Sequence, residues 1–236
     1  MNRLHLAILG ELHSTENRIP ATPWRSFGKR EWECALGWLD LSGLAIYLRH
    51  KIEGSNGWAA FPDSVQSALK NRHTGNQLRT AAIFSEFRAL IESFEEKSVN
   101  YAVLKGIALL PDYCPDPALR TQYDHDILVD EASLDRAEQA LLNLGYRRKT
   151  GKEGESTLVY RRPEPQIRFS QSWEGLYSPE LGRSVELHLT LWEEAEERIH
   201  LNLSNDFLER CVPREWEGLK FRALCDEDCL LFQILH

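Results

Sequence analysis

The sequence predicts an α+β protein in which a helical N-terminal region precedes a small mixed β-sheet flanked by helices. Residues 1–95 carry apolar side chains at helical spacing, whereas from Val99 onwards short β-branched runs alternate with helical segments. This order of elements is typical of α+β domains. We predict a helical region over 1–95 and a sheet-containing domain over 96–215. The remaining residues, 216–236, are predicted to begin a C-terminal helical segment that stops in mid-pattern, either because the chain is a truncated product or because it is a minimal version whose last helix docks elsewhere.

The N-terminal region contains three helical patterns. The stretch "WECALGWLDLSGLAIYLRHKI" is rich in Leu and Trp and is interrupted at Gly43, and "FPDSVQSALKNRH" begins with Asp63 as a helix cap. The stretch "NQLRTAAIFSEFRALIESFEEK" predicts a long amphipathic helix, because its apolar residues recur at steps of three and four. These residues are Ile83, Phe87, Leu90, Ile91 and Phe94.

Short runs of β-branched and alternating polar and apolar residues predict the strands of the sheet-containing domain. The stretch "VNYAVLKG" predicts a strand that passes into a turn, "DHDILV" predicts a second strand, and "DEASLDRAEQALLNLGY" predicts a helix that ends at Gly145. Further strands are predicted in "STLVYRR", "QIRFSQ" and "RSVELHLTL", and a last helix begins in "DEDCLLFQILH".

Composition and charge exclude several classes of protein. Acidic residues outnumber basic ones 36 to 28, for a net charge of -8, which argues against an extended nucleic acid as partner. No apolar run approaches the roughly 20 residues that span a bilayer. The start "MNRLHLAILGELHS" has too short an apolar core for a secretory signal, and five cysteines, an odd number, fit reduced thiols. We predict a cytoplasmic protein without membrane association.

Two aspartates at the start of the "DHDILV" strand predict a metal site. Residues two apart in a strand share a face, so Asp124 and Asp126 point one way and His125 the other. Adjacent carboxylates raise each other's pKa unless cations or donors stabilise them, and carboxylate pairs suit Mg2+ or Mn2+. Glu186, in the alternating run "SVELHL", is the candidate third carboxylate, since neighbouring strands lie only about 5 Å apart.

Basic residues and a glycine upstream predict a phosphate site. Gly106 ends the "VLKG" run, where a glycine turn brings phosphate close to backbone N–H groups. Lys105 offers a point charge, and Arg120 is a second candidate contact for phosphate, although it can instead pair with acidic residues of its own loop. His188 shares a face with Glu186 and either braces the site or satisfies a buried hydrogen bond.

The stretch "YAVLKGIALLPDYCPDPALRTQYDHDILVDEASLDRAEQALLNLGY", followed by "VELHLTLW", resembles the uncharacterised nucleotidyltransferase family of the DNA polymerase beta-like superfamily. The resemblance covers roughly Phe87 to Trp192. It implies a nucleotidyltransferase-like fold, with Asp124, Asp126 and Glu186 as catalytic metal ligands and with Lys105, Gly106 and Arg120 binding the nucleotide. This chain has Ile107 after the glycine, where the superfamily usually has Gly or Ser, and a longer spacer before Asp124.

The predicted function is transfer of a nucleotidyl group from an NTP to a hydroxyl group, with release of pyrophosphate and with Mg2+ or Mn2+ as cofactor. The acidic chain favours a small molecule, a peptide or a protein as acceptor. One alternative is a non-catalytic module that binds a nucleotide or a partner protein through the same fold. A third interpretation makes Asp124 and Glu186 the acid and base of a hydrolase, but it leaves Asp126 and "LKG" unexplained.

Overall fold

The computed structural model describes residues 2–14, 23–54, 57–114, 116–149, 156–163, 173–192 and 206–235. The strand predicted in "QIRFSQ" lies outside these residues. The chain divides into two compact units. The first comprises Met1–Ala82, Asp116–Thr121 and Arg168–Leu181, and the second comprises Ile83–Pro115, Gln122–Ile167 and Gly182–His236. The predicted domain boundaries, at 95/96 and 215/216, stay a prediction.

The first unit is built from helices. They are α1 (Arg3–His13), α2 (Lys29–Leu41), α3 (Ala45–Gly54) and the first part of α4 (Asp63–Glu96). The predicted interruption at Gly43 is confirmed, because this residue lies between α2 and α3 at φ +68°, where glycine avoids the strain that a side chain would bring. An aromatic and aliphatic core holds the helices together, and it includes Leu4, Ile8, Trp24, Trp32, Leu39, Phe61 and Leu69.

The helix α4 is one continuous element of 34 residues, where the sequence predicts two successive helical stretches. Gly75 lies inside it, and a Cβ there would lie 2.8 Å from the carbonyl oxygen of Tyr177, so close packing requires glycine at this position. No helix in the described part of the chain, α4 included, is both long and apolar enough to cross a membrane.

The second unit contains a mixed sheet, as predicted. Among the described residues its strands are β1 (Tyr101–Val103), β2 (Asp124–Val129), β3 (Arg147–Arg148), β4 (Thr157–Arg161), β5 (Ser184–His188), β6 (Val212–Trp216) and β7 (Leu219–Ala223). Their order is β3-β4-β5-β2-β1-β7-β6. The pairs β2–β5 and β1–β7 are parallel and the other pairs are antiparallel.

Helices cover both faces of this sheet. On one face, Ile127 and Val129 of β2 join a core with the later part of α4 and with α5 (Leu134–Asn143). On the other face, Leu128 of β2 packs in a cluster with Phe232 of the last helix, α6 (Asp226–Leu235). The predicted α+β architecture with flanking helices is confirmed.

The segment from 216 onwards differs from the prediction of a helical segment. Strands β6 and β7 form a hairpin there, and the helix begins only at Asp226. The hairpin turns at Glu217 and Gly218, which have φ values of 48° and 75°. A two-residue turn with both φ values positive matches the right-handed twist of the strands that it joins. The runs "VPREW" and "LKFRA" around this turn alternate in burial, as strands with one solvated face do.

Candidate active site

The two parallel strands β2 and β5 bring the predicted carboxylates together. Asp126 lies directly opposite Glu186 in the strand register, and Asp124 lies opposite Ser184. Residues opposite each other on neighbouring strands share a face of the sheet, and the strands are about 4.8 Å apart. Asp124, Asp126 and Glu186 therefore lie on the same face, at the end of β2 where the strand begins.

One carboxylate oxygen of Asp126 has polar partners and the other has none among the described residues. Its Oδ1 atom lies 3.1 Å from Lys105 Nζ and 3.2 Å from His188 Nε2. Its Oδ2 atom is buried and has no hydrogen-bond partner among the described residues. Asp126 as a whole is only 2% exposed, so water does not readily replace the absent partner. A buried carboxylate oxygen without a donor is costly, and its lone pairs are available for a cation.

His188 connects Asp126 to β4. Thr157 Oγ1 lies 3.2 Å from His188 Nδ1, on the opposite side of the ring from Asp126. An ionised carboxylate only accepts hydrogen bonds, so Nε2 of a neutral His188 carries the proton and Nδ1 accepts from the Thr157 hydroxyl. One ligand atom each from Asp126, Glu186 and His188 lies within 4.8 Å of the other two. In this tautomer neither ring nitrogen of His188 has a free lone pair, so the two carboxylates of this group are the ligands open to a metal ion.

The charges on this face are unbalanced. Burial, followed by repulsion from Asp126 and Glu186, raises the pKa of Asp124 to about 6, against the opposing effect of Lys105. Burial also raises the pKa of Asp126, but the hydrogen bond from His188 and the charge of Lys105 outweigh it and leave that pKa below its ordinary value. Burial lowers the pKa of Lys105, but the charges of Asp126 and Asp124 raise it by more, so the pKa lies above its ordinary value.

A glycine turn adjoins the carboxylates. Gly106 has a φ of +68°, in the left-handed region that disfavours other residues, and it begins a short 3-10 helix immediately after Lys105. A Cβ at Gly106 would meet the side-chain amide of Gln122 at 2.6 Å. Gln122 Nε2 in turn donates to the Asp124 carbonyl at 2.7 Å. The turn and the start of β2 are thus packed against each other.

The family model described as "Uncharacterised nucleotidyltransferase" matches residues 28–236. The chain belongs to this family. No curated protein and no solved structure matches the chain significantly. The predicted family is therefore confirmed, and nucleotidyltransferase is the enzyme class that the family assigns.

The residue between the two aspartates of this nucleotidyltransferase faces away from the carboxylates, as predicted. The His125 ring stacks on Phe87 of α4 with 6.0 Å between ring centroids. Its Nε2 atom lies 3.7 Å from Glu86 Oε2, which is too long for a hydrogen bond. His125 is 2% exposed, and its side chain packs against the helix layer behind the sheet.

Arg120 belongs to the first unit. Its backbone carbonyl accepts a hydrogen bond from Asn76 Nδ2 at 3.0 Å, and the same amide donates to Ala118 at 2.7 Å. The predicted role of Arg120 in nucleotide binding stays a prediction.

Sequence reasoning missed two residues of this site, Thr157 and Gln122. The Thr157 contact with His188 depends on β4 pairing with β5 in a register that no local pattern specifies. Gln122 lies two residues before Asp124, and a polar side chain directly ahead of an Asp-x-Asp strand was a readable signal. Neither residue type is a metal ligand by preference, which is why a search for carboxylates passes over them.

Proposed function

We propose that the protein catalyses metal-dependent transfer of a nucleotidyl group from an NTP to a hydroxyl acceptor, with release of pyrophosphate. One observation carries the proposal. Asp126 is paired in register with Glu186, and its Oδ2 atom is buried without a hydrogen-bond partner in the described residues. In a purely structural site, a buried carboxylate oxygen without a partner only costs stability. A bound divalent cation would supply the positive charge that this oxygen lacks.

The donor set fits Mg2+ or Mn2+. Hard divalent cations prefer carboxylate oxygens, and Asp124, Asp126 and Glu186 would hold them. When bound, such ions steady the triphosphate and lower the pKa of the attacking hydroxyl. His188 and Lys105 both contact Oδ1 of Asp126, which leaves Oδ2 as the atom that would bind a cation.

The remaining residues position the substrates. Gly106 lets the triphosphate approach the backbone, and Lys105 supports it, because an ammonium has three donors and Asp126 engages one of them. Glu186, which is partly exposed, binds the cation nearest the acceptor or takes the proton of the acceptor hydroxyl. We retain Arg120 as a further candidate contact for phosphate.

We assign a small molecule, a peptide or a protein as acceptor, and an address in the cytoplasm, on the strength of composition alone. The net charge of -8 gives no general attraction for an extended nucleic acid. We also retain residues 96–215 as the predicted catalytic domain, between a helical region at 1–95 and a C-terminal segment at 216–236.

The test is a titration of Mg2+ and each of the four NTPs into wild type and Asp126→Ala, followed by a pyrophosphate assay. We expect the variant to lose metal-dependent binding and to lower turnover by a factor on the order of 10³, because a ligand that acts on the transition state is removed. Asp135→Asn, which removes an exposed carboxylate on α5, is the matched control and should behave as wild type. Full activity in Asp126→Ala would overturn the metal assignment.

The same titration distinguishes the non-catalytic alternative. A protein that binds an NTP without ever releasing pyrophosphate, or that binds none while well folded, would be a nucleotide-binding or partner-binding module on this fold. The unbalanced carboxylates speak against that alternative, because a module without metal chemistry has no reason to keep Asp124 at a pKa of about 6.

A further inference from the structure

We propose that Arg161 binds an anionic group, a phosphate or a carboxylate, on a small-molecule acceptor of the proposed transfer. The inference rests on the proposed function and adds to it the chemical class of the acceptor. It is carried by the position of Arg161 in the sheet, by the side from which the acceptor must approach, and by the lack of a partner for its guanidinium group.

The register puts Arg161 in one row with Asp124. Arg161 lies opposite Ser184 in the β4–β5 pair, and Ser184 lies opposite Asp124 in the β5–β2 pair. Two strand spacings separate the ends of this row, about 10 Å. The contact between Thr157 and His188 fixes the face, because Thr157 and Arg161 are four residues apart on β4 and therefore point the same way. Arg161 lies on the carboxylate face.

The sheet order separates two sides of the site. The glycine turn follows β1, which adjoins β2 on one side, whereas β5 and then β4 adjoin β2 on the other. In phosphoryl transfer the attacking and leaving oxygens lie roughly in line on opposite sides of phosphorus. With the triphosphate at the Gly106 turn, the leaving pyrophosphate lies toward β1. The acceptor hydroxyl then approaches from the side of β5 and β4, where Arg161 is located.

The charge of Arg161 is available for a ligand. Lys105 is already paired with Asp126, whereas the side chain of Arg161 is exposed and has no ion pair or hydrogen bond within the described ranges. Arg147 lies directly opposite it on β3, and like charges in this position destabilise a strand pair. Arg147 is instead engaged by the carbonyl of Tyr146, at 2.7 Å from its Nη1 atom.

The chemistry of the guanidinium group selects the ligand. Its planar set of N–H donors matches phosphate and carboxylate oxygens and binds either one with two parallel hydrogen bonds. A neutral acceptor would leave the guanidinium group of Arg161 without an anionic partner. The geometry therefore favours a hydroxyl compound that also carries a phosphate or a carboxylate.

The test uses inorganic phosphate and ¹³C-labelled acetate as probes of the anion site. The protein is loaded with Mn2+ and the non-transferable analogue α,β-methylene-ATP, which occupies the triphosphate side. Each probe is then titrated, and its ³¹P or ¹³C relaxation reports both affinity and distance from Mn2+. The matched control is Arg148→Ala, since Arg148 is an equally exposed arginine opposite Tyr160, whose ring is buried on the other face.

We expect one probe to bind to wild type and to Arg148→Ala, and its affinity to fall about tenfold in Arg161→Ala, as for loss of a charged hydrogen bond. The affinity for the ATP analogue should change less than twofold. The better probe tells whether the acceptor carries phosphate or carboxylate. Unchanged probe binding in Arg161→Ala overturns the inference, as does a loss of analogue affinity, which would make Arg161 a contact of the NTP.

Failure of the proposed function gives a different result. If wild type binds no Mn2+, or if Asp126→Ala binds it equally well, the metal assignment is wrong whatever Arg161 does. The probes are then titrated without metal and followed by line broadening. Loss of probe binding in Arg161→Ala alone would still establish an anion site at this position, and equal weak binding in all variants would rule it out.

Discussion

The two faces of strand β2 carry charged clusters of opposite character. The front cluster consists of Asp124, Asp126, Glu186, Lys105 and His188, and the back cluster consists of Glu86, Arg162, Arg183 and His125. Three carboxylates face one lysine at the front, whereas one carboxylate faces two arginines at the back.

The geometry of the back cluster is that of a satisfied ion pair. Arg183 donates to both oxygens of Glu86 at 2.6 Å, and burial of Glu86 is outweighed by these bonds and by His125, so that its pKa falls to about 2. At the front, the pKa of Asp124 rises to about 6 and one oxygen of Asp126 has no partner in the part of the chain that the structure describes. Burial alone therefore does not mark a functional site; an excess of one charge does.

Glu86→Gln should have the largest effect on stability, because it breaks the back cluster. Since the pKa of Glu86 is about 2 in the folded protein and 4.5 as its ordinary value, the carboxylate stabilises the fold by at most about 3 kcal/mol above pH 4.5, because solvent screens part of the interaction. This contribution is lost as the pH falls from 4.5 toward 2. Urea unfolding between pH 2 and pH 7 should show the difference between wild type and variant shrink with acid. A difference independent of pH would contradict the assignment.

Asp124→Asn should change stability in the opposite direction, so that the variant is more stable than wild type. The pKa of Asp124 is raised from 3.8 to about 6, so its ionised form destabilises the metal-free fold above pH 6 and has no effect below pH 3.8. In chelator, the variant should be about 2 kcal/mol more stable than wild type at pH 7.5 and equal to it at pH 3.5. The measurement is again urea unfolding, with Asp135→Asn as the control. A destabilised variant would mean that the front cluster is not repulsive.

Gly106→Ala should destabilise the protein by about 1–2 kcal/mol, because a side chain at φ +68° is strained. Gly145→Ala is a matched control, since Gly145 has a φ of +86° and open space around it. Gly106→Ala should lose more thermal stability than Gly145→Ala, because its Cβ also displaces the Gln122 amide, and only Gly106→Ala should lose affinity for an NTP, as measured by calorimetry. Equal NTP affinity in the two variants would remove the glycine turn from the front site.

Thr157→Val should have the smallest effect on the front cluster. It removes the hydroxyl that orients His188, which in turn contacts the proposed ligand Asp126, so metal affinity should fall by less than the factor of about ten that follows a change directly behind a ligand. Titration of Mn2+ followed by electron paramagnetic resonance measures this change, and Thr157→Ser should restore it. Unaltered Mn2+ affinity in Thr157→Val would leave His188 with a purely structural role.

Much of the fold was predictable because its signals are local. The step of three and four residues in α4 and the alternation in β2 follow from side-chain geometry within one element, and both predictions are confirmed. The hairpin of β6 and β7 was missed because the charged residues of "VPREW" obscure its alternation. The Glu-Gly turn between the two strands was the available signal.

The site was less predictable than the fold, since its contacts join distant segments. The phosphate role of Lys105 stays a prediction, and spacing alone did not reveal its ion pair with Asp126, 21 residues later in the chain. Spacing along a chain does not reveal the packing of loops, because turns and long connections redirect them.

The sequence by itself determined that Asp124 and Asp126 share one face of a strand and that His125 takes the other, because alternation is a covalent property of an extended backbone. Only the tertiary structure decided that Glu186 lies opposite Asp126, that Thr157 reaches His188, and that Arg161 ends the same row. These outcomes depend on which strands pair and in which register. The register is selected because it buries the apolar side chains on both faces of the sheet, and the residues that cover those faces come from distant parts of the chain.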